Sequence, residues 1–143
     1  MRSIKSLMDL SGRVALVTGG AGHIGSVICD ALAELGANIA ILDVDGASCD
    51  DVAERVRHQH GVTALALSID LKDEQAVRAV SGLVQDDLGR LDILVNCAAL
   101  VGTSDLEGWV APFSEQNANT WRLALEINLT APFVLVQACA NAL

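Results

Sequence analysis

The chain has 143 residues, 52% hydrophobic, 19% charged and 3% aromatic, with a formal net charge of −9 and no Tyr. That length and apolar content suggest one domain with a large core, and the acidity argues against nucleic acid or an anionic membrane surface as a main partner. No N-terminal run suits a signal peptide and no charge-free apolar stretch suits a membrane span; Cys29, Cys49, Cys97 and Cys139 follow no zinc, haem or C-x-x-C spacing, so buried free thiols in a reducing, cytoplasmic setting are expected, with no metal site.

After a short lead-in ending in a turn at Leu10-Ser11-Gly12, Val14 to Thr18 reads as a buried parallel strand. A glycine turn follows at Gly19, Gly20, Gly22 and Gly25, in which Gly20-Ala21-Gly22-His23-Ile24-Gly25 fits G-x-G-x-x-G. Ile24, Val27, Ile28, Ala31, Leu32 and Leu35 then recur at helical spacing, and Gly36 stands where a terminating glycine belongs. Such a turn lets the chain leave the strand sharply, lets a pyrophosphate approach bare backbone, and lets the helix pack closely on the strand. The helix N-terminus adds unpaired N–H groups and a positive dipole end.

Asn38 to Asp43 is the second strand, with Asp43 at its C-terminal end, roughly 20 residues past the glycines as a dinucleotide fingerprint requires. A carboxylate there accepts from both adenosine ribose hydroxyls and repels a 2′-phosphate. Val44, Asp45 and Gly46 follow, with no Arg or Lys to bind one, so NAD is expected over NADP.

Gly46 to His60 is the next helix, capped by Ser48 or Asp50 and ended by Gly61. His58 and His60 lie two apart and face different ways on it, which fits a polar helix end rather than a metal site. Val62 to Ile69 is the third strand, with Asp70 at the same topological place as Asp43. Asp73 to Leu88 is an amphipathic helix, and Leu91 to Asn96 the fourth strand. A loop from Leu100 to about Gln116 is long enough to be functional, and Thr103, Ser104 and Asp105 in it are weighed as substrate contacts or plain loop polars.

Asn119 to Leu143 reads as one long helix with Trp121, Leu125, Leu129, Val136 and Ala140 among its apolar positions. Pro132 lies inside it and has no N–H, so the Asn128 carbonyl loses its helical partner and must bond something else, usually water. Four strand–helix alternations with right-handed crossovers give an α/β, Rossmann-type doubly wound sheet of order 3-2-1-4. Its cleft lies at the C-terminal strand ends, beside Gly20, Asp43, Asp70 and Asn96.

With these residues the sequence resembles the short-chain dehydrogenase/reductase family. The marks are Thr18 to Gly25, Asp43, Asp70-Leu71, Asp92 to Ala99, and Trp121 with Leu125-Glu126-Ile127-Asn128-Leu129. The resemblance implies an NAD-dependent oxidoreductase that moves hydride between nicotinamide and an alcohol or ketone carbon, possibly of a sugar. It implies a phosphate loop of Gly19, Gly20, Gly22 and Gly25 with His23 and the Ile24 amide, Asp43 on the adenosine ribose, and Asp70 on the adenine amino group with Leu71 beside it. Asn96 and Ala98 would line the nicotinamide side. Asn128 would be the catalytic asparagine, its carbonyl holding a proton-relay water. A homo-oligomer is implied for the full-length form.

The pattern departs from the family in places. The glycine spacing T-G-x-x-G-x-x-G is that of the branch acting on nucleotide sugars, whereas Asn96 to Ala99 and the asparagine helix look like the single-domain branch, with Cys97 and Ala99 replacing its usual Asn and Gly. This mixture resembles bacterial members tied to surface-sugar and flagellar glycan synthesis. Lys72 stands where a Ser or Thr is usual. The family's Ser and Tyr-x-x-x-Lys are absent, so residues 1–143 are expected to be the cofactor-binding part of a longer enzyme, truncated before the fifth strand and inactive alone. A non-catalytic dinucleotide-binding module is the alternative; a methyltransferase fits less well, having no need of Asp92 to Ala99 or of Asn128.

Overall fold

The computed structural model describes residues 3–101 and 106–143. At its centre is β1 (Val14–Thr18), buried along its whole length. It pairs in parallel with β2 (Asn38–Asp43) on one side and β4 (Ile93–Asn96) on the other, and β2 pairs with β3 (Ala64–Ser68). The order is 3-2-1-4, as the crossover rule requires.

Side chains alternate along each strand, so each buried strand feeds two cores. Val14, Leu16, Ala40 and Leu42 point to one face. There they meet Val77, Val80 and Val84 of α4 (Glu74–Leu88) and Val134, Leu135 and Cys139 of α6 (Ala131–Cys139). Ala15, Val17, Ile39 and Ile41 point to the other face. That face is covered by Cys29 and Ala33 of α2 (His23–Glu34) and by Cys49, Val52, Ala53 and Val56 of α3 (Gly46–His60). A four-residue turn of helix, α1 (Ile4–Leu7), precedes β1, and α5 (Ala118–Leu125) precedes α6. Among the described residues, no helix is long and apolar enough to cross a membrane.

Several sequence expectations shift. The cap of α3 is Asp45, not Ser48 or Asp50: Asp45 accepts from the Ser48 amide at 3.3 Å and the Ser48 hydroxyl at 2.7 Å. Asp73 caps α4 rather than belonging to it. The third and fourth strands are shorter than their apolar runs, because ladder pairing begins only at Ala64 and Ile93. The long C-terminal helix is interrupted by a π-helical stretch, Glu126–Thr130, between α5 and α6.

Two apolar stripes are offset from those expected. On α2 the sheet-facing residues are Gly25, Cys29 and Ala33, while Ile24 and Val27 are exposed. On α5 and α6 the buried residues are Thr120, Ala124, Ala131, Val134, Leu135 and Cys139. Trp121, Leu125, Leu129, Phe133 and Val136 form an exposed apolar face. Small residues win the sheet-facing positions on α2 because the helix must come close to β1.

Asp92 ties β1 to the start of β4. Its carboxylate accepts from the Val14 amide at 2.9 Å, its own amide donates to the Val14 carbonyl at 2.9 Å, and Arg13 and Arg90 pair with it. The Arg90 hydrogen bond is the main cause holding this carboxyl well below the usual carboxylate range. Because the folded value is depressed, the stabilisation is present above the unfolded carboxylate value and is lost as pH falls below it. Asp92→Ala leaves the buried Val14 amide without its side-chain acceptor. A loss of roughly 1–3 kcal/mol is expected in urea unfolding at pH 7, narrowing against wild type below about pH 4. An equal loss at pH 7 and pH 3 would show that the carboxylate charge contributes nothing.

Candidate functional site

The C-terminal ends of the strands open into a cleft of about 570 Å³, a size suited to a small-molecule ligand. Its floor is the turn between β1 and α2. Gly19 adopts φ +64°, and a Cβ there would lie 2.7 Å from the Ala98 Cα. At Gly25 a Cβ would lie 2.0 Å from the Gly19 carbonyl oxygen, which no shift of a side chain could relieve. These glycines let α2 start directly on the end of β1. The cap position of α2 is Gly22, which makes no side-chain capping bond. The first turn of the helix therefore presents backbone N–H groups to the cleft rather than to a capping oxygen, the arrangement that holds phosphates.

Thr18 fixes the opposite side of the turn. It is buried, and its hydroxyl oxygen accepts from the amides of Cys97 at 3.1 Å and Ala98 at 3.2 Å. The exit of β4 is thus held over the glycine turn. The sequence marks Thr18 as the end of a strand and the start of the family motif but assigns its hydroxyl no role; a hydroxyl at the last position of an otherwise apolar strand is the available signal.

Asp43 lines the cleft at the end of β2. One carboxylate oxygen accepts from the Val44 amide at 2.8 Å and the other from the Ala21 amide at 3.3 Å. The acid is therefore locked onto the glycine turn itself. Asp70 and Leu71 line the same wall, with Lys72 beside them. Asp70 accepts from the Lys72 amide at 3.0 Å and pairs with its ammonium at 3.1 Å. The backbone bond from Lys72 is the main cause lowering the Asp70 carboxyl below its ordinary value.

Of the sequence-predicted residues, Gly19, Gly22, His23, Ile24, Gly25, Asp43, Asp70, Leu71 and Ala98 line one cleft. Gly20 lies buried beneath the turn, its amide donating to the Leu42 carbonyl at 3.2 Å. Asn96 and Asn128 are not among the lining residues. Thr103, Ser104 and Asp105 lie outside the described residues.

Asn128 sits in the π-helical stretch. Its side-chain oxygen accepts from the Leu100 amide at 2.7 Å and its side-chain amide donates to the Leu100 carbonyl at 2.9 Å. This paired contact pins the cleft loop to the helix. No periodicity in the sequence announces it, because the partner is backbone 28 positions away. Burial pushes the Cys29 thiol up to about 12 and that of Cys49 to about 11, so neither of these two is a thiolate at neutral pH.

The family model described as short chain dehydrogenase matches residues 13–143. The D-threitol dehydrogenase of Mycolicibacterium smegmatis is 35% identical over 129 residues, 90% of this chain and 46% of that protein. Among solved structures, NAD+-bound xylitol dehydrogenase aligns with a TM-score of 0.79 at 30% identity, covering 93% of this chain and 48% of that one. The L-sorbose reductase of Gluconobacter frateurii, complexed with NADPH and L-sorbose, aligns with a TM-score of 0.83 at 27% identity, covering 94% and 49%. The chain spans about half the length of the curated relatives it matches. A match that starts at the foot of β1 and runs through the glycine turn to the last residue makes this chain a member of the short-chain dehydrogenase/reductase family.

Proposed function

We propose that residues 1–143 form the dinucleotide-binding part of an NAD-dependent oxidoreductase acting on an alcohol or ketone carbon, of a polyol or sugar. The observation that carries the reading is the join between Asp43 and the glycine turn. One carboxylate oxygen bonds the Ala21 amide, so the acid that would hold the adenosine ribose and the amides that would hold the pyrophosphate are one rigid unit. The residues fit the group: a Cβ at Gly25 would strike the Gly19 carbonyl, and the uncapped start of α2 faces the cleft.

Asp43 supports NAD over NADP. A fixed carboxylate followed by Val44, Asp45 and Gly46 offers acceptors to ribose hydroxyls and repulsion to a 2′-phosphate. His23 and Ile24, in the first turn of α2, supply backbone amides to the phosphates. Ala98, which lines the cleft, is assigned to the nicotinamide side. The bound nicotinamide supplies or accepts the hydride. Asn128 holds Leu100 with its side chain, while Pro132, the residue from which its carbonyl would receive a regular α-helical bond, has no N–H. That carbonyl is the atom assigned to a proton-relay water. The relatives named for D-threitol and xylitol support a polyol substrate. The exposed face of Trp121, Leu125, Leu129, Phe133 and Val136 is assigned to association with another copy.

Titration of the chain with NADH and NADPH, followed by nicotinamide fluorescence, tests the reading. Wild type is expected to prefer NADH by about tenfold or more, and Asp43→Asn to lose most of that preference. Failure of a folded chain to bind either dinucleotide overturns the proposal. Gly25→Ala gives an independent check. On an ordinary helix that change is stabilising by about 1 kcal/mol; here it is expected to lower the thermal midpoint by roughly 3–10 °C and to abolish NADH binding. A variant as stable as wild type that still binds would show that the close approach at the turn is not required.

A further inference from the structure

Lys72 is the unexplained residue of the cleft. Among the described residues that line it, Lys72 alone carries a fixed positive charge, against the two carboxylates of Asp43 and Asp70. Its position is set from both sides. Asp70 to Asp73 forms a turn closed by the Asp73 amide on the Asp70 carbonyl at 2.9 Å, and Asp73 then caps α4. Within that turn Lys72 clasps Asp70 twice, through its amide on Oδ1 and its ammonium on Oδ2.

This clasp changes what the wall can recognise. A lone carboxylate only accepts hydrogen bonds. Facing the six-position of a purine, it rewards the amino donor of adenine and repels the carbonyl of a 6-oxopurine. An ammonium only donates, with three N–H groups, one of them directed here at Asp70. Side by side, the two groups form a near-neutral pair that offers an acceptor and donors together. Each Asp70 oxygen receives one contact from Lys72, which leaves lone pairs for an incoming amino group. Both side chains are about half exposed, so water moderates the contrast rather than removing it.

We propose that Lys72 sets the purine selectivity of this cleft: held against Asp70, it makes the adenine end tolerant of a 6-oxopurine dinucleotide as well as of the adenine one. The proposal rests on the dinucleotide reading above, taken with the adenine amino group at Asp70 that the family resemblance implies, and the test separates the two.

The measurement is fluorescence titration of the chain with NADH and with reduced nicotinamide hypoxanthine dinucleotide, which carries a 6-oxo group and an adjoining N1–H where NADH has the 6-amino group and a bare N1. Wild type is expected to bind the two within about threefold of each other, and Lys72→Met, which keeps the aliphatic stem, to favour NADH by about tenfold. Lys72→Arg keeps the charge and is expected to stay near wild type. Asp70→Asn keeps the ammonium and is expected to shift the ratio toward the hypoxanthine analogue. A merely structural role for Lys72 would change both affinities together and leave the ratio alone. If both dinucleotides bind and the ratio is the same in wild type and Lys72→Met, the proposal is overturned and the cofactor reading stands. If neither binds to wild type with native circular dichroism, the cofactor reading fails and this proposal with it.

Discussion

The structure depends on how closely α2 approaches the end of β1. The helix starts so near the strand that a single Cβ at Gly25 would overlap the Gly19 carbonyl oxygen. This approach fixes the direction of α2, and so aims its uncapped N-terminus at the cleft. It also explains why the sheet-facing side of α2 carries Gly25, Cys29 and Ala33 while Ile24 and Val27 face outward. Bulk on the inner face would lift the helix away from the sheet and turn its uncapped start away from the cleft.

Around that contact the site is assembled by backbone amides held by side-chain oxygens. Thr18 draws Cys97 and Ala98 over the turn, Asp43 holds Ala21, and Asn128 holds Leu100. Each of these side chains bonds main chain of a different element. The walls of the cleft are therefore positioned by long-range polar contacts, and the strands beneath them by the apolar layers on either side. Asp92 does the same work at the opposite end of the sheet, where it joins β1 to β4.

The C-terminal helix shows how one local defect serves the site. Pro132 withholds an N–H from the Asn128 carbonyl, and the helix around it widens into a π-helical stretch. Within this stretch Asn128 stands opposite Leu100, where its side chain forms the paired contact. A regular helix through this stretch would rotate the residues beyond it and break the packing of Val134, Leu135 and Cys139 on α4 and the sheet.

The sequence alone determined the strand–helix alternation, the sheet order and the residues of the glycine turn, because those follow from apolar runs, glycine spacing and the handedness of crossovers. It also placed Asp43 and Asp70 together at strand ends, and it located the weak point at Asn128 from Pro132. Tertiary structure decided the rest. Which face of α2 and of α5–α6 is buried turned on steric fit against the sheet, and the apolar periodicity was off by one position in both. Asp45 displaced Ser48 and Asp50 as the cap because its backbone leaves β2 in an extended conformation just before the helix. The grip of Thr18 on Cys97 and Ala98, that of Asn128 on Leu100 and the clasp of Lys72 on Asp70 were invisible beforehand. Two of them join residues far apart in the chain and the third depends on a turn geometry, and no spacing rule encodes which amide a lone hydroxyl or carboxylate will find.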